Sequence, residues 1–181
     1  VNTSAVLDWT YANFESPAQV IITGSSAGAF GSLLNAPYIL DHYRDAQVLY
    51  MADAHGVGLN QRDTATVMDG WGAFNNMPSF IAELANVDRS AFTVNQIYEA
   101  LAANYPDALL SQYVTTADET LVLFYSFTGG SAEEWTQATL DSIDALESGI
   151  DNFSSFVAGG PLHTILGRPE FYTYMADGVR M

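Results

Sequence analysis

The run Gly-Ser-Ser-Ala-Gly at residues 24–28 constrains the fold of this chain more than any other feature of its sequence. It follows a short β-branched run at 20–23 and precedes a stretch at 27–40 with the pattern of a helix. Between a strand and a helix, G-x-S-x-G is a nucleophile elbow, whose serine projects above the carboxyl end of a parallel sheet. Ser26 is therefore the predicted nucleophile. The plain alternative is a glycine-rich turn that only joins a strand to a helix.

The small residues of this run have a predicted steric purpose. Gly24 and Gly28 should prevent clashes between the strand and the incoming helix at a sharp turn. The backbone N–H of Ala27 should then point to the place where an oxyanion develops, at the N-terminus of the helix. Phosphate binding is not indicated, because that needs G-x-G-x-x-G or a lysine after the glycines, and the chain has no lysine.

The order of the predicted elements indicates the fold class. Strand and helix patterns alternate along the chain, which predicts an α/β fold with a parallel sheet and flanking helices. Ser131 and Glu134 form a capping box at the start of the best helix. Residues 54–92 have weak periodicity and are expected to be a loop-and-helix insertion. The strands are predicted at 20–23, 48–51, 109–115 and 153–157, and the helices at 3–14, 27–40, with a break or kink at Pro37, 95–104, 131–147 and 168–175.

A serine hydroxyl needs a base to accept its proton, and the chain has three histidines. His163 follows the last predicted strand and is the favoured base. His55 follows the strand after the elbow, so it should lie on the same sheet edge as Ser26 and could line the site or act as the base. His42 lies at the far end of the elbow helix, roughly 20 Å from Ser26 at ~1.5 Å per residue.

An acid is needed to orient the imidazole. Asp118 follows the strand at 109–115 and precedes His163, which gives the order Ser, Asp, His. Asp53, which could also line the substrate site, and Glu119 are the alternatives. Asp118 could instead be the N-cap of the segment that follows it.

Three apolar side chains are candidates for the substrate pocket. Trp71, Phe74 and Met77 belong to the predicted insertion and could line an acyl or glycan pocket. Packing in the core is the alternative for each of them.

The composition excludes several classes of function. The chain lacks cysteine and lysine, which excludes thiol nucleophiles, cysteine metal sites and Schiff-base chemistry. Neither a metal nor a cofactor is expected. A net charge of −16 argues against nucleic acid and anionic membranes as partners, and no apolar run reaches the ~18 residues of a membrane span. Twenty-one acidic residues against five arginines fit either a salt-adapted, halophilic protein or an ordinary acidic one.

Several segments resemble the pectin acetylesterase and Notum-type carboxylesterase family. The elbow run at 20–28 is similar to that family's G-x-S-A-G-G elbow, and Asp53-Ala54 and Asn76-Met77-Pro78 match its next two motifs. The tail at 160–172 resembles its closing histidine segment. The resemblance runs in register from about residue 5 to the end.

The resemblance implies an α/β-hydrolase with a triad on Ser26, Asp118 and His163, hydrolysing acetylated polysaccharides or lipid esters. A lipase or polyester depolymerase would use the same triad, and a non-catalytic binding protein could retain the fold. Secretion, to an extracellular or periplasmic location, is expected.

The resemblance also implies a partner chain. The family carries a glycine-rich oxyanion loop and further strands before the elbow, and these are absent from this chain. Residues 1–181 are thus expected to be the C-terminal portion of one α/β-hydrolase domain, paired with an N-terminal chain of the same precursor.

Overall fold

Four parallel strands organise the protein. The structure, a computed structural model, describes residues 2–56, 61–176 and 178–180. The sheet has the order β1-β2-β3-β4, and every neighbouring pair in it is parallel. This confirms the predicted α/β fold with a parallel sheet. The strands are β1 (Gln19–Ser25), β2 (Gln47–Asp53), β3 (Leu109–Thr115) and β4 (Phe153–Ala158).

Helices connect the strands and cover the sheet. A capping box of Ser131 and Glu134 begins the longest of them, as predicted. Two very short strands, β5 (Met175–Ala176) and β6 (Val179–Arg180), pair antiparallel near the end of the described chain. The α-helices are α1 (Asn2–Asn13), α2 (Ala27–His42), α3 (Gln61–Gly70), α4 (Ala82–Ala85), α5 (Asn95–Asn104), α6 (Glu119–Ser126) and α7 (Ala132–Gly149).

The structure differs from the sequence analysis at three places. Helix α2 shows no break at Pro37, which is buried and accepts a hydrogen bond from Tyr105 Oη at its carbonyl oxygen. Helix α6 occupies a segment with no predicted element. The predicted terminal helix at 168–175 is instead a 3₁₀ turn, Pro169–Tyr172, followed by β5. In each case tertiary packing outweighs the local pattern.

Most of the hydrophobic core lies on one face of the sheet, because Tyr50, Leu110 and Val114 occupy strand positions whose side chains point to the same side. The larger cluster joins α2, α5 and the centre of the sheet through Leu33, Tyr50, Tyr98, Leu101 and Leu110. A smaller cluster packs α6 and α7 against β3, and its members are Val114, Leu121, Tyr125, Trp135 and Ile143. These clusters hold the carboxyl ends of the strands at one edge. Ser25, Asp53 and Tyr113 are aligned there across three strands.

Strand β1 lies at the edge of the sheet. Among the described residues it pairs only with β2, and the side chain of Ile21 is 70% exposed. Helix α1 has no buried residue, and its apolar Val6 and Trp9 are more than half exposed. The strand that carries the elbow therefore has one open backbone edge.

Candidate active site

The elbow at Ser26 has a strained backbone. Ser26 has φ 56° and ψ −123°, a region that non-glycine residues rarely adopt. Its N–H donates to the carbonyl oxygen of Asp53, 2.8 Å away, which ties the turn to β2. A Cβ on Gly24 would collide with the carbonyl group of Gly28. A residue without a side chain is therefore required at position 24.

The described chain shows no steric need for glycine at position 28. A Cβ placed there meets no atom within 4 Å, and both Ala27 and Gly28 are exposed. The clash predicted for Gly28 is thus not seen. Ala27 begins α2, so its N–H is one of the donors that a helix leaves without an internal acceptor.

Asp118 and His163 are in direct contact. Oδ2 of the fully buried Asp118 lies 2.7 Å from Nδ1 of His163, whose side chain is 17% exposed. The other oxygen, Oδ1, accepts hydrogen bonds from the N–H groups of Thr120 and Leu121 and so caps α6. One carboxylate thus contacts His163 and also caps α6, the second of which is the alternative that the sequence allowed for Asp118.

The loops that carry this pair are joined by hydrogen bonds. Thr115 Oγ1 donates to the carbonyl oxygen of Leu162 at 3.0 Å, and the N–H of Ala117 donates to that of Gly160 at 3.1 Å. These contacts fix the loop after β3 against the loop after β4. The distance between Asp118 and His163 is therefore set by the backbone.

Asp53 is also fully buried, and its carboxylate has three donors. Oδ1 accepts from the N–H of Ile165 at 2.8 Å, and Oδ2 accepts from Ser25 Oγ at 2.6 Å and from the N–H of Leu166 at 3.1 Å. Asp53 thus links the residue before the nucleophile to the loop just after His163. It does not line the cavity described below.

His55 is buried beside the elbow and is only 2% exposed. Its ring packs against Phe30, with 4.2 Å between the ring centroids. Burial lowers the pKa of His55 to about 4, and a hydrogen bond to Gln112 opposes that shift. In the described chain, the histidine in contact with a carboxylate is His163, so no carboxylate raises the pKa of His55 again. With a pKa of about 4, the imidazole of His55 is neutral at physiological pH.

A cavity of about 690 Å³ opens beside Ser26. This volume is within the ~300–1,000 Å³ usual for ligand pockets. Ser26, Ala27, His55 and Trp71 line it, and of these His55 and Trp71 were candidates for substrate-lining groups. Apolar side chains form most of its wall, and they are Phe30, Val67, Met68, Val94, Leu121, Phe124 and Tyr125.

The other apolar candidates pack in the core. Phe74 is buried in the larger cluster, and Met77 packs against that cluster. Trp71, by contrast, is 64% exposed at the cavity wall. In the described parts of the chain, no group of three or more His, Asp or Glu residues is placed to hold a metal ion. Nor does any helix there have the length and hydropathy to cross a membrane.

The structure brings together two of the three predicted triad residues. Among the described contacts no hydrogen bond joins Ser26 to His163. The three non-glycine residues with positive φ in the described chain nevertheless lie at the site: Ser26 itself, Ala54 before His55, and Thr164 after His163. Strained backbone of this kind collects at functional sites, and no pattern in the sequence marks Ala54 or Thr164.

The fold is an α/β fold in which the elbow and the loops after β3 and β4 lie at one edge of a parallel sheet. The structure is similar to that of the Wnt deacylase Notum from Drosophila, with a TM-score of 0.63 and 16% sequence identity. The likeness covers 98% of this chain and 56% of the Notum chain, so this chain spans a little over half the length of that one. At this identity the likeness establishes the fold. A scan against protein-family models gave no match, and neither did a search of curated proteins.

Proposed function

We propose that this protein is a serine carboxylic ester hydrolase related to the pectin acetylesterase and Notum-type enzymes. The observation that carries the proposal is the strained Ser26 at the wall of an apolar cavity. The Asp118–His163 pair, held on loops at the same edge of the sheet, supports it.

In the proposed reaction, Nε2 of His163 accepts the proton of Ser26 as the hydroxyl oxygen attacks the ester carbonyl. Asp118 holds the Nδ1–H of His163, which keeps Nε2 free as the base and stabilises the imidazolium. The N–H of Ala27 donates to the oxyanion. His163 then protonates the leaving alcohol and activates the water that hydrolyses the acyl-enzyme. In this proposal the hydrogen bond between Ser26 and His163 forms when substrate binds, since catalytic hydrogen bonds are often long or absent without substrate.

His55 and Asp53 are less suited to be base and acid. The carboxylate of Asp53 is used by Ser25 and the backbone after His163, so it does not orient His55. An imidazole with a pKa of about 4 is also a weak proton acceptor at neutral pH. His163 and Asp118 are therefore the pair that we propose.

The cavity favours acyl groups longer than acetyl. Its volume of about 690 Å³ and its largely apolar wall suit a hydrocarbon chain, whereas a sugar ester would need more polar groups. The exposed Trp71 at the wall adds apolar surface at the same place. Lipid-type esters are thus the proposed substrates. The second candidate is a lipase or polyester depolymerase, which the same apolar cavity would support.

An ester series tests the proposed function. Chromogenic esters from acetate to palmitate should be hydrolysed, with the highest kcat/KM at chains longer than acetate. A fluorophosphonate should label Ser26, and Ser26→Ala should abolish both labelling and turnover. Ser154→Ala, at an exposed serine of β4, is the matched control and should leave both unchanged. Binding of esters without turnover or labelling would instead identify a binding protein that retains the fold.

The proposal includes a second polypeptide segment on the open edge of β1. We regard the chain as the C-terminal portion of one hydrolase domain, with residues 54–92 as an insertion. An unpaired edge with an exposed Ile21 is a feature that soluble proteins usually cover, and the likeness leaves much of the Notum chain unmatched. An N-terminal chain of the same precursor would add a parallel strand there and a second oxyanion donor.

Intact-mass measurement and size-exclusion chromatography of the active protein test this part. We expect a second polypeptide to co-purify with this chain. A monomer of this chain alone that hydrolyses esters at full rate would show that no partner is needed. Secretion stays a prediction that rests on the resemblance.

A further inference from the structure

His55, in the wall of the cavity beside Ser26, has a fully buried ring nitrogen without a hydrogen-bond partner. Among the described residues, the buried side-chain nitrogen and oxygen atoms without a hydrogen-bond partner are Nε2 of His55 and the hydroxyl of Tyr113. Only His55 lines the cavity. Unpaired buried polar atoms destabilise a fold and are rare, so one at a candidate site calls for a functional reason.

The side chain of Gln112 lies beside the imidazole of His55. Its hydrogen bond to His55 favours the protonated ring, and burial disfavours that form more strongly. Tyr98 Oη donates to the amide oxygen of Gln112 at 3.4 Å. In a neutral imidazole one nitrogen donates and the other accepts, so Nε2 is a donor or an acceptor that lacks a partner.

The side chain of Phe30, in the cavity wall, packs closely on this ring. The ring of Phe30 lies 4.2 Å from that of His55, at an interplanar angle of 47°. Phe30 also lines the cavity and is partly exposed, so it is not locked in the core. We expect a rotation of Phe30 to give a chain in the cavity access to Nε2.

We propose that Nε2 of His55 forms a hydrogen bond with a hydroxyl group on the acyl chain, so that the site selects hydroxyacyl esters. This proposal rests on the proposed function, because it treats the cavity as the acyl pocket. A hydroxyl is uncharged and can both donate and accept, so it can pair with Nε2 in either tautomer of the ring. A pocket that pairs a buried polar atom with a substrate hydroxyl discriminates strongly against the chain that lacks it.

A comparison on the unaltered protein tests the proposal without any variant. The substrates are p-nitrophenyl octanoate and its counterparts with a hydroxyl on the second, third or last carbon. We expect kcat/KM for one hydroxy ester to exceed that for octanoate by about ten-fold or more. Equal or lower values for all three hydroxy esters would overturn the proposal and leave the ester hydrolase intact.

Variants then assign the preference to His55. His55→Phe keeps an aromatic ring but removes Nε2, so the ratio of hydroxy ester to plain ester should fall to about one. His42→Phe makes the same change on an exposed helix end and should keep the ratio of the unaltered protein. A preference that survives His55→Phe would place the hydrogen-bonding group elsewhere and overturn the proposal.

A binding measurement separates failure of this proposal from failure of the proposed function. Isothermal titration with octanamide and its hydroxy counterparts reports on the cavity without turnover, and these ligands are uncharged. Tighter binding of a hydroxy amide in a protein that hydrolyses no ester would support the hydroxyl site and reject the hydrolase. Equal binding of all the amides would overturn the hydroxyl site.

Discussion

Asp118 holds His163 with one carboxylate oxygen and caps a helix with the other. Oδ2 lies 2.7 Å from His163 Nδ1, while Oδ1 accepts from the N–H groups of Thr120 and Leu121 at the start of α6. The helix N-terminus thereby fixes the carboxylate in the orientation that the imidazole requires. The two functions of this side chain can be separated by substitution.

Asp118→Asn should separate them. The amide keeps an oxygen for the cap but turns an N–H toward Nδ1, which forces the wrong tautomer on His163. We expect kcat to fall by roughly 10⁴-fold, with a change in the free energy of unfolding within about 1 kcal/mol. Ester kinetics and urea denaturation measure the two effects.

Glu119→Gln is the matched control for that variant. Glu119 is exposed and adjacent to Asp118, and the sequence allowed it as the acid. The Glu119→Gln variant should hydrolyse esters at the rate of the unaltered protein. A large loss in Glu119→Gln, with little change in Asp118→Asn, would transfer the acid to Glu119.

Asp53→Asn should destabilise the fold. The carboxylate accepts from Ser25 Oγ and from two backbone N–H groups, and an amide would turn its own N–H groups toward one of these donors. We expect a loss of about 1–3 kcal/mol in the free energy of unfolding, measured by urea denaturation. Ser25→Ala removes one bond of the three and should lose less. Equal stability of Asp53→Asn and the unaltered protein would contradict this account of the buried carboxylate.

Two glycines near the elbow should respond in opposite directions to alanine. Gly24→Ala puts a methyl group on the carbonyl of Gly28 and should destabilise the fold by about 1–3 kcal/mol or more. Gly31→Ala lies within α2, where an added Cβ meets no atom within 4 Å, so it should stabilise by about 0.5–1 kcal/mol. Thermal melts of the pair measure this. If Gly24→Ala leaves the stability unchanged, the elbow can accommodate a methyl group that its geometry excludes.

The burial of His55 should make the folded protein less stable as the pH is lowered. The pKa of His55 is lowered from 6.5 to about 4 in the folded protein. Between these two values the unfolded chain binds a proton at His55 and the folded protein does not. The stabilisation is complete above pH ~6.5 and is lost toward pH ~4, by about 3 kcal/mol in total. Urea denaturation between these limits should show a slope that His55→Phe removes and His42→Phe keeps. An identical slope in His55→Phe would assign the acid sensitivity to other groups.

Salt should raise the melting temperature if the acidic surface is an adaptation. With 21 acidic side chains against five arginines, repulsion at low ionic strength destabilises the fold, and molar NaCl screens it. Melts from low salt to molar NaCl measure the effect. A flat or falling melting temperature would leave the acidic surface as a feature of solubility alone.

The sequence by itself determined the four strands, the elbow and the capping box. Each depends on residues close together in the chain: a β-branched run at 20–23, an alternating pattern at 109–115, small residues around Ser26, and Ser131 three residues before Glu134. Local sterics and local hydrogen bonds decide such features, so a local pattern predicts them.

Only the tertiary structure decided the rest of the site. Helix α6 was missed because its apolar run has no helical period, and it forms where Asp118 caps it and where Leu121 and Tyr125 pack with Trp135. The contact of Asp53 with the backbone of Ile165 joins residues 112 positions apart. Burial of His55 and the shape of the cavity likewise depend on elements distant in the chain. Such contacts form only when the whole sheet brings its loops to one edge, so no local pattern carries them.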